Sequence, residues 1–136
     1  MGPTSTCPDL AFLMCNQAKV TSGSFVFDPY VGTGSILLAV KLFGGLGFGA
    51  DLDYRVVMGK GVGRLNKNSS FYNNELENYF PKINLNFIQN NLPLPNIVRS
   101  DSTKLKINHS FKFDSIISDP PYGLRATSIR IAANSG

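Results

Sequence analysis

FDPYVGTGS, residues 27–35, decides how this chain folds. An apolar FVF leads into it and the apolar ILLAVKLF follows, so a short strand, a glycine turn and a helix are predicted in succession. Gly32 and Gly34 open backbone conformations that other residues rarely adopt and let the chain come close to a ligand. The helix that starts there offers its free N–H groups. Gly44-Gly45 then ends the helix, as C-terminal glycines do. A dinucleotide fingerprint needs a third glycine for close helix–strand packing, and Leu37 stands in its place. No GK[ST] follows, so the phosphate-binding P-loop is excluded as well. The pocket is therefore built for something other than a pyrophosphate.

Upstream, CPDLAFLMCNQAKV predicts a helix: Pro8 and Asp9 suit its first turn, and Leu10, Leu13, Met14 and Ala18 recur at helical spacing. Downstream, LGFGA predicts a small-residue strand ending at Asp51, and YRVVMGKG a modest helix. From Arg64 to Pro95 the composition turns to Asn, Ser and Lys. Residues 66–72 are read as a polar insertion, with YNNELENYF and KINLNFIQNNL as helical segments around a break at Pro81. NIVRSD predicts a third strand with Asp101 beyond it, and FKFDSIIS a fourth that enters SDPPYG. Strands alternating with helices imply an α/β fold with a mainly parallel sheet.

Each of these four strands is followed within a residue or two by an aspartate: Asp28, Asp51, Asp101 and Asp119. Ligands of open parallel sheets bind outside the carboxyl ends of the strands, so the four carboxylates are expected on one rim. A single aspartate there is explained as a cap or turn residue; four in register are not. Asp51 lies 19 positions after Gly32, the place of an acid that accepts hydrogen bonds from a ribose diol. A cofactor with an adenosine-like ribose and no dependence on a diphosphate fits, and S-adenosylmethionine is such a cofactor.

Composition sets the outer bounds. The 136 residues suit one domain, and no apolar run approaches the ~20 residues of a membrane span. Nothing resembles a signal peptide. Cys7 and Cys15, eight apart, support neither a zinc site nor a disulfide framework, so reduced thiols and a cytoplasmic protein are expected, with no metal. A net charge of +4 permits a nucleic-acid partner. His109 reads as a loop residue, Phe71, Tyr72, Tyr79 and Phe80 as packing of the insertion, and Arg125 and Arg130 as either phosphate contacts or solvated positions.

SDPPYG, residues 118–123, gives up two backbone donors and fixes two φ angles. Such stiffness holds Asp119 and Tyr122 in set directions, as a rigid loop or as the rim of a site. FDPYVGTGS, GADLD, RSDS and SDPPYG, in that order, resemble the cofactor motifs and the DPPY motif of class I amino-methyltransferases. The opening helix and the Asn-rich insertion are similar to the tRNA (guanosine-10-N2)-methyltransferase catalytic subunits of eukaryotes, over roughly residues 4–125.

The resemblance implies a Rossmann-like fold, S-adenosylmethionine as cofactor, the N2 amine of a tRNA guanosine as acceptor, and a small zinc-binding activator protein as partner. It places Gly32, Thr33 and Gly34 along the methionine part of the cofactor with Asp28 beneath. Asp51 takes the ribose hydroxyls, and Asp101 with Ser102 the adenine amine. Asp119, Pro120, Pro121 and Tyr122 receive the target base. A sheet that stops after its fourth strand, with no preceding RNA-binding domain, is expected to be the cofactor-binding half of a catalytic domain. The same motifs serve adenine-N6 and protein-glutamine methyltransferases, and a fragment that binds cofactor or partner without turnover also fits them.

Overall fold

The computed structural model describes residues 6–57, 82–108 and 110–121. The insertion at 66–72, YNNELENYF, His109, Tyr122, Arg125 and Arg130 lie outside those residues. Four parallel strands form one sheet in the order β3-β2-β1-β4: β1 (Phe25–Asp28), β2 (Leu46–Asp51), β3 (Asn96–Arg99) and β4 (Ser115–Ile116). The described helices are α1 (Pro8–Gln17), α2 (Ser35–Leu42), α3 (Tyr54–Val57) and α4 (Lys82–Gln89).

Strand alternation divides the sheet into two faces. Val26 of β1 and Ile117 just past β4 point to the helices and pack with Ala11 and Cys15 of α1 and Ile36, Ala39 and Val40 of α2. Leu37, Val56, Ile83 and Phe87 form a second cluster with Val31, and Ile97 of β3 packs against it. The inner stripe of α1 differs from the periodicity reading. Ala11 and Cys15 are buried with Met14 and Ala18 beside them, whereas Leu10 and Leu13 are exposed. Small side chains occupy the contact because interhelical distance is set by the residues at the crossing. Burial also pushes the Cys15 thiol up to about 11, which keeps it protonated.

The opposite face carries phenylalanines. Phe25 stacks on Phe48 at 5.9 Å, and Phe27 on Phe113 at 5.0 Å. Phe111 meets Phe25, Phe48 and Phe113 edge-on. Phe111 and Phe113 belong to the connection from β3 to β4, where FKFDSIIS predicts strand. Only Ser115 and Ile116 join the ladder, because the rings upstream turn down onto the sheet instead. Asp114 fastens that approach by accepting the Phe25 amide at 2.7 Å.

The leucine that replaces the third glycine has a counterpart across the sheet. Leu37 is fully buried over β2. A Cβ built at Gly47 would stand 3.1 Å from Leu37 Cδ2, and one at Gly49 2.9 Å from Cδ1. The room for close helix–strand contact is thus made by glycines on the strand rather than on the helix.

Candidate functional site

The chain runs from β1 outward through β2 to β3, then returns to place β4 on the other side of β1. This reversal of strand order opens a crevice at the carboxyl ends of β1 and β4, the place where ligands bind open α/β sheets. Strand order sets the four aspartates along the rim as Asp101, Asp51, Asp28, Asp119. Asp28 lies close enough to two of the others that repulsion from Asp51 and Asp119 adds, after burial, to the shift of its carboxyl.

Asp28 is fully buried. Its Oδ1 accepts the Tyr30 amide at 3.0 Å, while Oδ2 is enclosed without a hydrogen-bond partner. Burial pushes its carboxyl up to about 6; the Tyr30 amide and the nearby Ser118 hydroxyl pull the other way. The Ser118 Oγ is itself buried and stops short of a hydrogen bond of good geometry. Among the described residues, Asp28 Oδ2, Ser115 Oγ and Ser118 Oγ are buried side-chain oxygens without a hydrogen-bond partner, all at or next to β1 and β4, a costly arrangement for a core and an ordinary one beside a ligand site.

Above Asp28 the turn bends through Gly32 (φ 51°) and Gly34 (φ 83°), both left-handed. Gly34 caps α2 with no side-chain cap, and a Cβ there would lie 2.9 Å from Ile83 Cγ2. Thr33 Oγ1 and Ser35 Oγ are 3.2 Å apart. Asp51 binds the turn directly: its Oδ2 accepts the Gly32 amide at 2.9 Å and its Oδ1 the Asp53 amide at 2.8 Å. Each oxygen keeps a second lone pair for a ligand.

At the β3 end, the Thr103 amide and hydroxyl both donate to Asp101 Oδ1, holding its carboxyl below the usual range. Ser102 donates to the Tyr30 hydroxyl at 2.8 Å, tying the β3 loop to the glycine turn across the end of β2. At the β4 end, Asp119 Oδ2 accepts a 3.1 Å hydrogen bond from the Thr6 hydroxyl. Pro120 and Pro121 are exposed on the rim beyond it.

Sequence reading places the aspartates and glycines in one site but passes over Thr6, Tyr30 and Ser118. Tyr30 and Ser118 sit inside the quoted motifs and could have been found there. Thr6, 113 residues from its partner, gives no local signal.

No protein-family model matches the chain. Over 132 residues, 96% of its length, it is 36% identical to the tRNA (guanine(10)-N(2))-methyltransferase of Homo sapiens. Its relatives are tRNA methyltransferases. The enzyme of that name from Saccharomyces cerevisiae is 32% identical over 91% of the chain. The chain spans about a quarter of the length of these curated relatives, 27% of the human and 25% of the yeast protein. Among solved structures it is similar to TrmN from Thermus thermophilus, with a TM-score of 0.57, 21% identity, and coverage of 90% of this chain and 30% of that one. A type I restriction-modification methyltransferase subunit from Streptococcus thermophilus gives 0.56 at 19% identity, covering 88% and 23%. The fold is the Rossmann-like fold of the class I methyltransferases.

Among the described residues, no helix is long and apolar enough to cross a membrane.

Proposed function

We propose that the protein transfers a methyl group from S-adenosylmethionine to the exocyclic N2 amine of a guanosine in tRNA. The observation that carries this reading is the row of four carboxylates on one rim, with Asp119 at the strand-order reversal beside the glycine turn. The names of the relatives favour a tRNA guanosine over adenine N6 or a glutamine amide as acceptor. The described sheet is then the cofactor-binding half of the catalytic domain, and a small zinc-binding activator is its proposed partner.

The residues present fit the cofactor. Asp28 Oδ2 and Ser118 Oγ are buried without partners and call for a polar ligand group. Gly32, Thr33 and Gly34 would line the methionine part, Asp51 would accept from the ribose hydroxyls, and Asp101 Oδ2 with Ser102 would meet the adenine amine. Bound there, S-adenosylmethionine supplies a methyl already activated on a positive sulfur.

The chain's own work is done on the acceptor. A purine amine is a weak nucleophile because its lone pair is delocalised into the ring. Asp119, accepting an N–H from that amine, would favour a pyramidal nitrogen and hold it towards the methyl donor, a contribution of position and electrostatics. Pro120 and Pro121 stiffen the rim that carries Asp119, as a pre-organised site requires. Tyr122 would stack on the base, which has to leave any helical stack to reach the crevice. Nucleoside mass spectrometry of tRNA from cells with and without the gene tests this function. Loss of N2-methylguanosine is expected; unchanged N2-methylguanosine with loss of another methylated base would reassign the acceptor.

A further inference from the structure

Thr6, just before α1, reaches the rim through a hydrogen bond from its Oγ1 to Asp119 Oδ2 at 3.1 Å. A carboxylate accepts only, so the threonine hydroxyl is the donor. The bond joins two segments that are each held from behind. On one side Pro8 stiffens the start of α1, and Ala11 and Cys15 anchor that helix in the core. On the other, Ile117 is buried in the same cluster, two residues before Asp119. Thr6 and Asp119 are therefore presented to each other by one packed unit, with Pro120 and Pro121 limiting the backbone beyond. The geometry is that of a support for a carboxylate: Oδ2 is occupied by the protein, and among the described residues nothing donates to Oδ1.

We infer that Thr6 is a positioning residue for methyl transfer. Its hydroxyl fixes the rotation of the Asp119 carboxylate so that Oδ1 is turned to the acceptor amine. This rests on the catalytic reading of Asp119. A freely turning carboxylate would spend much of its time misdirected, and sites of this kind need an orientation held within about 10–20°. Thr6 touches neither the amine nor the methyl donor in this role; it acts through Asp119.

The test is single-turnover methyl transfer to tRNA and S-adenosylmethionine affinity, both measured on the full-length protein. The variants are Thr6→Val, Thr6→Ser, Asp119→Asn, and Thr6→Val combined with Asp119→Asn. Thr6→Val keeps the shape and removes the donor. It is expected to slow transfer about 10-fold, the scale of one hydrogen bond to a charged group, with cofactor affinity within about twofold. Thr6→Ser should restore most of the rate. In the Asp119→Asn background, Thr6→Val should add much less than its own factor, the coupling of groups that act as a unit. Thr6→Val at the wild-type rate beside a slow Asp119→Asn overturns the role of Thr6 alone. A loss in Thr6→Val that lies wholly in cofactor affinity overturns it too, as does an equally slow Thr6→Ser. Asp119→Asn and Thr6→Val both at the wild-type rate overturn the reading of Asp119 beneath it.

Discussion

The amide of Gly32 donates to Asp51 Oδ2 at 2.9 Å, so the glycine turn after β1 and the acid at the end of β2 form one unit. The spacing of 19 residues between them is spanned by α2, the turns on either side of it and the six residues of β2, and the hydrogen bond closes that loop. The acid proposed to hold a ribose diol thus also shapes the turn proposed to hold the rest of the cofactor.

Replacing Asp51 should therefore weaken cofactor binding in two ways. Asp51→Ala is expected to lower S-adenosylmethionine affinity by ~1.5–3 kcal/mol, the range for hydrogen bonds to a charged group. Asp51→Asn should lose less, since one oxygen can still accept from Gly32 or from a ribose hydroxyl. Calorimetry showing unchanged affinity in a folded Asp51→Ala protein removes this residue from the site.

Asp28 makes the free protein's stability depend on pH. Its carboxyl is pushed from 3.8 up to about 6 by burial, so the folded state binds its proton more tightly than the unfolded chain does. The stabilisation is complete below the unfolded value near 3.8 and is lost as pH rises through about 6. A shift of this size is worth about 3 kcal/mol. Asp28→Asn should flatten urea-unfolding stability between pH 4 and pH 7 and raise it at the upper end, while weakening cofactor binding. An Asn variant that keeps the wild-type pH slope would place the titration elsewhere.

Gly34 tolerates no side chain. Its φ of 83° is left-handed, and a Cβ would lie 2.9 Å from Ile83 Cγ2. Gly34→Ala is expected to cost about 1–3 kcal/mol in thermal or urea unfolding, from strained backbone and displaced packing. Trimming the neighbour should separate these causes: Ile83→Val in the Gly34→Ala protein relieves the contact and leaves the φ penalty. Additive losses in the double variant would mean that the two residues do not meet.

Much of this fold is legible in short segments. Phe25–Asp28, Leu46–Asp51 and Asn96–Arg99 are strands where apolar runs meet turn residues, and the parallel order follows from the helices between them. What local pattern misses is set by contacts distant in sequence. Apolar spacing in α1 points to Leu10 and Leu13, yet α2 and Ile117 select Ala11 and Cys15 for the inner face. FKF reads as strand because phenylalanine favours strands, but the open face of β1 and β2 draws Phe111 and Phe113 out of the ladder. Among the rim residues, the aspartates announce themselves by following strands, whereas Thr6 meets Asp119 only because the packed fold brings the two together.

The rate of methyl transfer by Asp119→Ala in the full-length protein tests the central claim most directly. Asp119 should act on the acceptor amine and not on the cofactor. Single-turnover transfer to tRNA is therefore expected to fall ~100- to 1000-fold, the loss that follows removal of one oriented catalytic hydrogen-bonding group. S-adenosylmethionine affinity and the melting temperature should change little. A turn carboxylate predicts the reverse, a lower melting temperature with normal turnover of the protein that remains folded. Transfer at the wild-type rate by folded Asp119→Ala would contradict the account.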